Sequence, residues 1–232
     1  MYCSIHALHG FLGAPNDWVD LSLPNLHRCD LYANGKPAQE FGLKDWAKLF
    51  NLSVAQQEGI LMGYSLGGRL ALHALLDKPE CWRAAIIISA HPGLSSTQVK
   101  QERRKEDERW AERFLNEPWD KLMKAWNERA VFAGKSYVSE RLEQNYNRLD
   151  LANTLRHWSL STQDDLLPEI KKLDIPILWV AGELDSRYAT IASTLSLRHP
   201  QSKIWIAPGS GHRVPWECQT FQKQVETFVE AL

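Results

Sequence analysis

Cysteine is scarce in this chain. Four thiols, Cys3, Cys29, Cys81 and Cys218, are scattered over 232 residues without CxxC spacing. That pattern argues against a disulfide framework and a thiolate metal site, and it fits a protein kept in a reducing cytoplasm. Long apolar runs are also missing: none approaches the roughly 18–20 residues needed to cross a bilayer. The opening residues Met1-Tyr2-Cys3-Ser4-Ile5-His6 lack the basic and apolar regions of a secretory leader. Charge of one sign is lacking too, since 27 Lys+Arg against 28 Asp+Glu leave a net −1. So small a charge does not steer a whole molecule onto nucleic acid or an anionic membrane. Repeats and low-complexity tracts are absent. What remains is a 44% apolar chain with ten tryptophans, long enough for one domain with a sizeable core and an insertion.

Six short apolar runs read as strands: Ser4–Leu8, His27–Leu31, Gly59–Tyr64, Ala84–Ala90, Ile175–Ala181 and Lys203–Ala207. They are apolar on consecutive positions, as strands covered on both faces must be. Helical patterns lie between them, at Leu43–Phe50, Leu66–Leu76, Ala189–Leu197 and Cys218–Leu232. Strand–helix alternation predicts an α/β fold with a mostly parallel sheet of about six strands and helices on both faces. The alternation breaks once, between Gly93 and Leu173, where several amphipathic stretches and no convincing strand occur. A structureless loop of that length is improbable inside a compact domain. The expected organisation is therefore a core from residues 1–92 and 174–232, with a helical cap over 93–173.

The strongest chemical signal is Gly63-Tyr64-Ser65-Leu66-Gly67. It matches G-x-S-x-G between a strand and a helix, the context in which that motif forms a sharp turn presenting its serine. A serine hydroxyl is inert at neutral pH, so it requires a base, and the base an orienting acid. Both follow in the chain order typical of this turn: Asp185 just beyond the fifth strand, then His212 just beyond the sixth. Glu183, Asp164 and Asp165 are rival acids at less suitable positions. The oxyanion hole is expected from the backbone N–H of Leu66 and that of Phe11 in the turn His9-Gly10-Phe11. His9 is expected to brace that turn. His6 and His9 have no evident third partner, so no metal is implied, and the serine, base and acid call for no organic cofactor.

Taken together, HGF, GYSLGGRLALHALL, HPGL…QERRKEDERWAERFLNEPW and AGELDSRY resemble the 2-succinyl-6-hydroxy-2,4-cyclohexadiene-1-carboxylate synthase family, α/β-hydrolase-fold lyases of menaquinone and phylloquinone biosynthesis. The resemblance runs from His9 to the C-terminus. It implies a small polycarboxylate substrate from which pyruvate is eliminated after proton abstraction. It also implies that Arg69, Arg103 and Arg148 hold carboxylates, and that Tyr64 and Trp126 line the pocket. Arginine suits that task because its rigid fork pairs bidentately with carboxylate. Arg104, Arg109 and Arg113 read instead as part of a solvated helix laced with salt bridges. The chain departs from the family at Asp30-Leu31-Tyr32-Ala33-Asn34-Gly35, where D-x-P-G-H-G is usual, and this is expected to alter one pocket wall. Two other readings share the same residues: a carboxylesterase or thioesterase, and a non-catalytic binding protein of this fold.

Overall fold

The computed structural model describes residues 3–54, 58–132 and 140–232. Six strands form one sheet: β1 (Ile5–Leu8), β2 (Leu26–Cys29), β3 (Gly59–Tyr64), β4 (Trp82–Ile88), β5 (Ile177–Gly182) and β6 (Lys203–Ala207). Their order is β2-β1-β3-β4-β5-β6, and every pairing is parallel. The strand count agrees with expectation and several boundaries move. The fifth strand begins after Pro176, which has no N–H to give a ladder. The second lies earlier than expected, at the sheet edge, with His27 and Arg28 exposed.

Alternate residues of each central strand enter opposite cores. Leu61, Ala85, Ile87 and Trp179 pack with α1 (Leu43–Val54) and α2 (Leu66–Asp77). Ile60, Met62, Ile86 and Val180 pack on the other face with Trp18 and with Phe221, Val225 and Phe228 of the C-terminal helix. All six residues of β3 are buried. At about 1.5–3 kcal/mol per fully buried large aliphatic side chain, strands covered on both faces anchor the fold.

Among the described residues, the segment between β4 and β5 holds helices and no strand. It contains α3 (Thr97–Asn116), α4 (Trp119–Asn127) and α5 (Arg148–His157), and residues 133–139 of it lie outside the described residues. Ser96 caps α3, accepting from the Val99 N–H, and Asn147 caps α5 by accepting from Asp150 N–H. α3 is charged along most of its surface but buries Asp107, Ala111 and Phe114, spaced so as to share one face. Phe114 joins Trp119, Trp126, Leu151 and Leu155 in a third apolar cluster above the sheet. Trp158, Leu166 and Ile170 pack instead with the sheet's own core.

The chain returns through α6 (Leu167–Ile170), β5, α7 (Ser186–Ser193), β6, α8 (Val214–Glu217) and α9 (Phe221–Glu230). The final helical pattern, expected over Cys218–Leu232, is α9 alone, with the short α8 just before it, and α7 starts directly after Asp185, earlier than its apolar spacing suggested. The strand order reverses between β1 and β3, so the loops leaving their carboxyl ends diverge and open a crevice where such sheets bind ligands.

Candidate active site

Ser65 stands at that reversal, between β3 and α2. Its backbone angles are φ 53° and ψ −109°, a region that costs a non-glycine residue about 1–3 kcal/mol. Two glycines make the turn possible. A Cβ on Gly63 would lie 2.4 Å from the Gly67 carbonyl oxygen, and one on Gly67 would lie 2.4 Å from the carbonyl oxygens of Leu8 and His9. Ser65 N–H donates to the Ile88 carbonyl at 2.9 Å, and Arg69 N–H donates back to the Ser65 carbonyl at 3.0 Å. The strained residue is therefore clamped to β4 and to the first turn of α2.

The Ser65 hydroxyl lies 3.0 Å from Nε2 of His212, and Nδ1 of His212 lies 2.6 Å from Oδ2 of Asp185. A carboxylate only accepts, so Nδ1–H donates to Asp185 and Nε2 is left to accept from Ser65. Asp185 and His212 are 5% and 3% exposed, so the pair is shielded from water. The two loops are tied together, with Leu184 N–H donating to the Ser210 carbonyl at 2.8 Å. Tyr188, Tyr64 and Phe132 enclose the imidazole, with ring centroids at 4.7, 5.6 and 6.0 Å. The rival acids are engaged elsewhere: Glu183 accepts from Gly209 N–H at 2.8 Å, and exposed Asp164 pairs with Lys44 at 2.7 Å.

Phe11 and Leu66 border the same cavity as Ser65, and their backbone amides are the expected oxyanion donors. Neither donates a hydrogen bond among the described residues, and that of Leu66 opens a helix, where the first N–H groups have no partner within it. His9 braces their turn, its Nδ1 2.9 Å from the Gly10 carbonyl and its Nε2 accepting from Leu31 N–H.

Two chambers meet at Ser65. The smaller, about 370 Å³, is walled mainly by Tyr64, Trp119, Met123 and Trp216, with Arg141 and Arg213 at its edge. The larger, about 590 Å³, holds Arg69, Arg103, Arg129 and Arg187 against Glu106, Asp107 and Asp185. Phe11, Trp126 and Phe132 border both.

Residues 7–224 match the alpha/beta hydrolase family. The chain is 33% identical over 204 residues to the 2-succinyl-6-hydroxy-2,4-cyclohexadiene-1-carboxylate synthase of Klebsiella pneumoniae subsp. pneumoniae, covering 82% of this chain and 80% of that protein. It is 31% identical over 220 residues to the synthase of the same name from Enterobacter sp., covering 88% and 83%. The chain belongs to the 2-succinyl-6-hydroxy-2,4-cyclohexadiene-1-carboxylate synthase family. It is an enzyme built on the α/β-hydrolase fold. Its fold superposes on that of MenH from S. aureus with a TM-score of 0.86 at 21% identity, covering 99% of this chain and 94% of that one.

The residues that this synthase family's resemblance singled out are distributed unequally. Arg69 reaches the larger chamber, but its Nη1 donates to Gln163 Oε1 at 3.0 Å and its Nη2 to the Trp158 carbonyl at 2.7 Å. Burial, reinforced by repulsion from Arg103, lowers its pKa to about 10, so it stays charged at neutral pH. Arg103 lines the same chamber and is held by Asp107. Trp126 forms the wall between the chambers and packs against Phe11 at 4.9 Å and Trp110 at 4.9 Å. Tyr64 is buried beside Trp216, and that burial raises its phenol pKa.

Arg148 is the exception. It borders neither chamber: its guanidinium donates to the carbonyls of Phe114 and Glu117 and to Glu143 Oε1. It joins the end of α3 to the start of α5. The Asp30–Gly35 loop likewise borders neither chamber. Tyr32 Oη is 3.0 Å from Thr154 Oγ1, and Lys36 pairs with Asp150 at 2.6 Å, so the loop braces the cap.

Sequence reading missed several chamber residues. Arg187 and Tyr188 immediately follow Asp185 in AGELDSRY, and Arg213 follows His212, so adjacency to the triad positions was the available signal. Arg213 donates to Asn127 Oδ1 at 2.6 Å and lies over the Phe132 ring at 3.9 Å. Arg141 makes two bonds to Asp17, at 2.8 and 2.9 Å, linking cap to core. His91, from the HPGL motif, lines the larger chamber and accepts from Gly93 N–H on Nδ1 at 3.1 Å. Burial, with the cations Arg187, Arg69 and Arg103 around it, drives its pKa down to about 3, so its ring is neutral in the working range.

Proposed function

We propose that this enzyme acts in menaquinone or phylloquinone biosynthesis as a lyase. It eliminates pyruvate from 2-succinyl-5-enolpyruvyl-6-hydroxy-3-cyclohexene-1-carboxylate to give 2-succinyl-6-hydroxy-2,4-cyclohexadiene-1-carboxylate. The observation that carries this reading is the hydrogen-bonded chain Ser65–His212–Asp185 opening onto a chamber bordered by four arginines, in a member of that synthase family.

The Ser65–His212 pair takes a proton from a ring carbon. The electron pair released at C2, which bears the succinyl group, forms the C2=C3 double bond, the existing C3=C4 pair shifts to C4=C5, and the bond from C5 to the enolpyruvyl oxygen breaks. The departing enolate gains a proton at carbon and leaves as pyruvate, so no covalent acyl-enzyme is required. Asp185 fixes the imidazole tautomer and stabilises the imidazolium once it forms. We assign the Phe11 and Leu66 amides to the negative charge that develops on an oxygen near Ser65. Arg103, with Arg69 behind it, holds carboxylates. A charge-assisted hydrogen bond contributes about 1.5–3 kcal/mol, so even two such contacts favour a polycarboxylate over a neutral ester by orders of magnitude. Tyr64 and Trp126 shape the space around the ring. We place the work in the cytoplasm; no helix among the described residues is long and apolar enough to cross a membrane.

The test is pyruvate release from the succinylated cyclohexene precursor. Wild-type protein is expected to release pyruvate, and Ser65→Ala to lose at least a thousandfold in rate. Brisk hydrolysis of short acyl esters without pyruvate would overturn the lyase reading in favour of a serine ester hydrolase, which the same triad and amide pair can support.

A further inference from the structure

Asp107 is a carboxylate where none is expected on energetic grounds. It is 2% exposed, on the one face of α3 that turns inward, and it borders a chamber we read as a polyanion site. A buried carboxylate is costly unless it is paired and hydrogen-bonded, and this one is both. Arg103 Nε donates to its Oδ1 at 2.9 Å and its Oδ2 at 2.8 Å, while Ser159 Oγ donates to Oδ2 at 2.6 Å. Ser159 has a single hydroxyl proton and it goes to Asp107. The Ser159 oxygen in turn accepts from Ser161 N–H at 2.8 Å and lies 2.7 Å from Ser161 Oγ, so Ser161 donates there as well. The carboxylate is gripped by α3 on one side and by the segment following α5 on the other.

How Arg103 is gripped matters more than that it is gripped. An arginine serving only as a structural partner commonly offers its fork, two parallel N–H groups, to both carboxylate oxygens. Here both oxygens converge on Nε. Neither Nη nitrogen of Arg103 donates to another described residue, and the side chain borders the larger chamber. Burial opposes the guanidinium charge, but the charge and hydrogen bond of Asp107 outweigh it and raise the Arg103 pKa.

We infer that Asp107, locked by Ser159, is a positioning residue that holds Arg103 by Nε so that its two Nη groups are presented to a carboxylate of the ligand. The inference rests on the proposed function for the identity of that ligand, but the geometry itself requires only a polycarboxylate. Holding one guanidinium in place before the ligand arrives removes the cost of freezing a long, flexible side chain at the moment of binding.

The experiment measures binding of tricarballylate by calorimetry beside pyruvate release, in Asp107→Asn, Ser159→Ala, Arg103→Lys and the Arg103→Lys/Asp107→Asn double variant. Asparagine keeps the size of Asp107 but removes its charge. We expect Asp107→Asn to weaken tricarballylate about tenfold and to raise KM similarly, with kcat and the hydrolysis of an uncharged short ester within about twofold of wild type. Ser159→Ala is expected to show the same pattern at two- to threefold. The double variant should bind no worse than Arg103→Lys alone, because Asp107 acts only through that guanidinium. Wild-type affinity in Asp107→Asn, no binding by the wild type, or additive losses in the double variant would each overturn the inference. So would an equal loss on the uncharged ester accompanied by a lower melting temperature, since that marks a purely structural pair. If the wild type binds tricarballylate with the expected pattern of variants but releases no pyruvate, the function reading falls and the positioning role stands.

Discussion

Ser65 is the residue at which the proposed function opposes stability most openly. Its backbone lies in a region that side chains avoid, and it is kept there by the Ile88 carbonyl, the first turn of α2 and the close approach of Gly63 to Gly67. Alanine carries the same Cβ and relieves nothing, whereas glycine adopts this conformation freely. Ser65→Gly is therefore expected to remove activity while stabilising the fold by about 1 kcal/mol, the relief of strain less the entropy of a more flexible unfolded chain. Denaturant unfolding beside the pyruvate assay reads both quantities, and a Ser65→Gly protein less stable than Ser65→Ala would show that the turn stores no strain. The serine and its partners were legible because each follows a strand at a position that chain order prescribes. Arg148 was not legible in that way. It was named by resemblance alone, and in the fold its Nη1 donates to the carbonyls of Phe114 and Glu117 and its Nε to Glu143.

Within α2, the apolar run that follows the serine holds a second buried polar group. His73 has no hydrogen-bond partner for Nε2 among the described residues. Burial, with Arg69 and Lys44 nearby, lowers its pKa to about 4. Between pH 6.5 and that value the unfolded chain binds a proton here that the folded chain does not. Stability must therefore fall as pH falls through this window, by at most about 1.4 kcal/mol per pH unit for each such group. His91, lowered to about 3 by burial and its arginine neighbours, adds in the same direction. Replacing His73 with leucine is expected to flatten the decline of unfolding free energy between pH 7 and 5. An unchanged slope would mean that this ring is not the source. The element boundaries tell a related story. β3 and α2 agree with their patterns because burial on both faces leaves no competing assignment, whereas α7 begins at Ser186 through the tight turn at Asp185, which apolar spacing does not encode.

The whole molecule places a nearly neutral protein around a locally cationic chamber. Four arginines face three carboxylates there, although the chain as a whole carries −1. Attraction of this kind is screened by salt, since the Debye length shrinks from roughly 10 Å at 0.1 M to about 3 Å at 1 M. KM for the proposed polycarboxylate substrate is expected to rise several-fold between about 0.05 and about 0.5 M salt. KM for an uncharged ester should barely change, and equal responses would remove the electrostatic account of selectivity. By itself the sequence determined the strand–helix alternation, the serine turn, the order of acid and base and the helical character of the cap, since each depends on residues adjacent in the chain or on a regular period. Only the tertiary structure decided which arginines face the ligand space, that Trp126 divides it, and that Asp107 holds Arg103 by Nε. Those outcomes depend on how α3, α5 and the loops after β5 and β6 pack across long stretches of chain, and side-chain direction at such contacts is fixed by neighbours that no local pattern names.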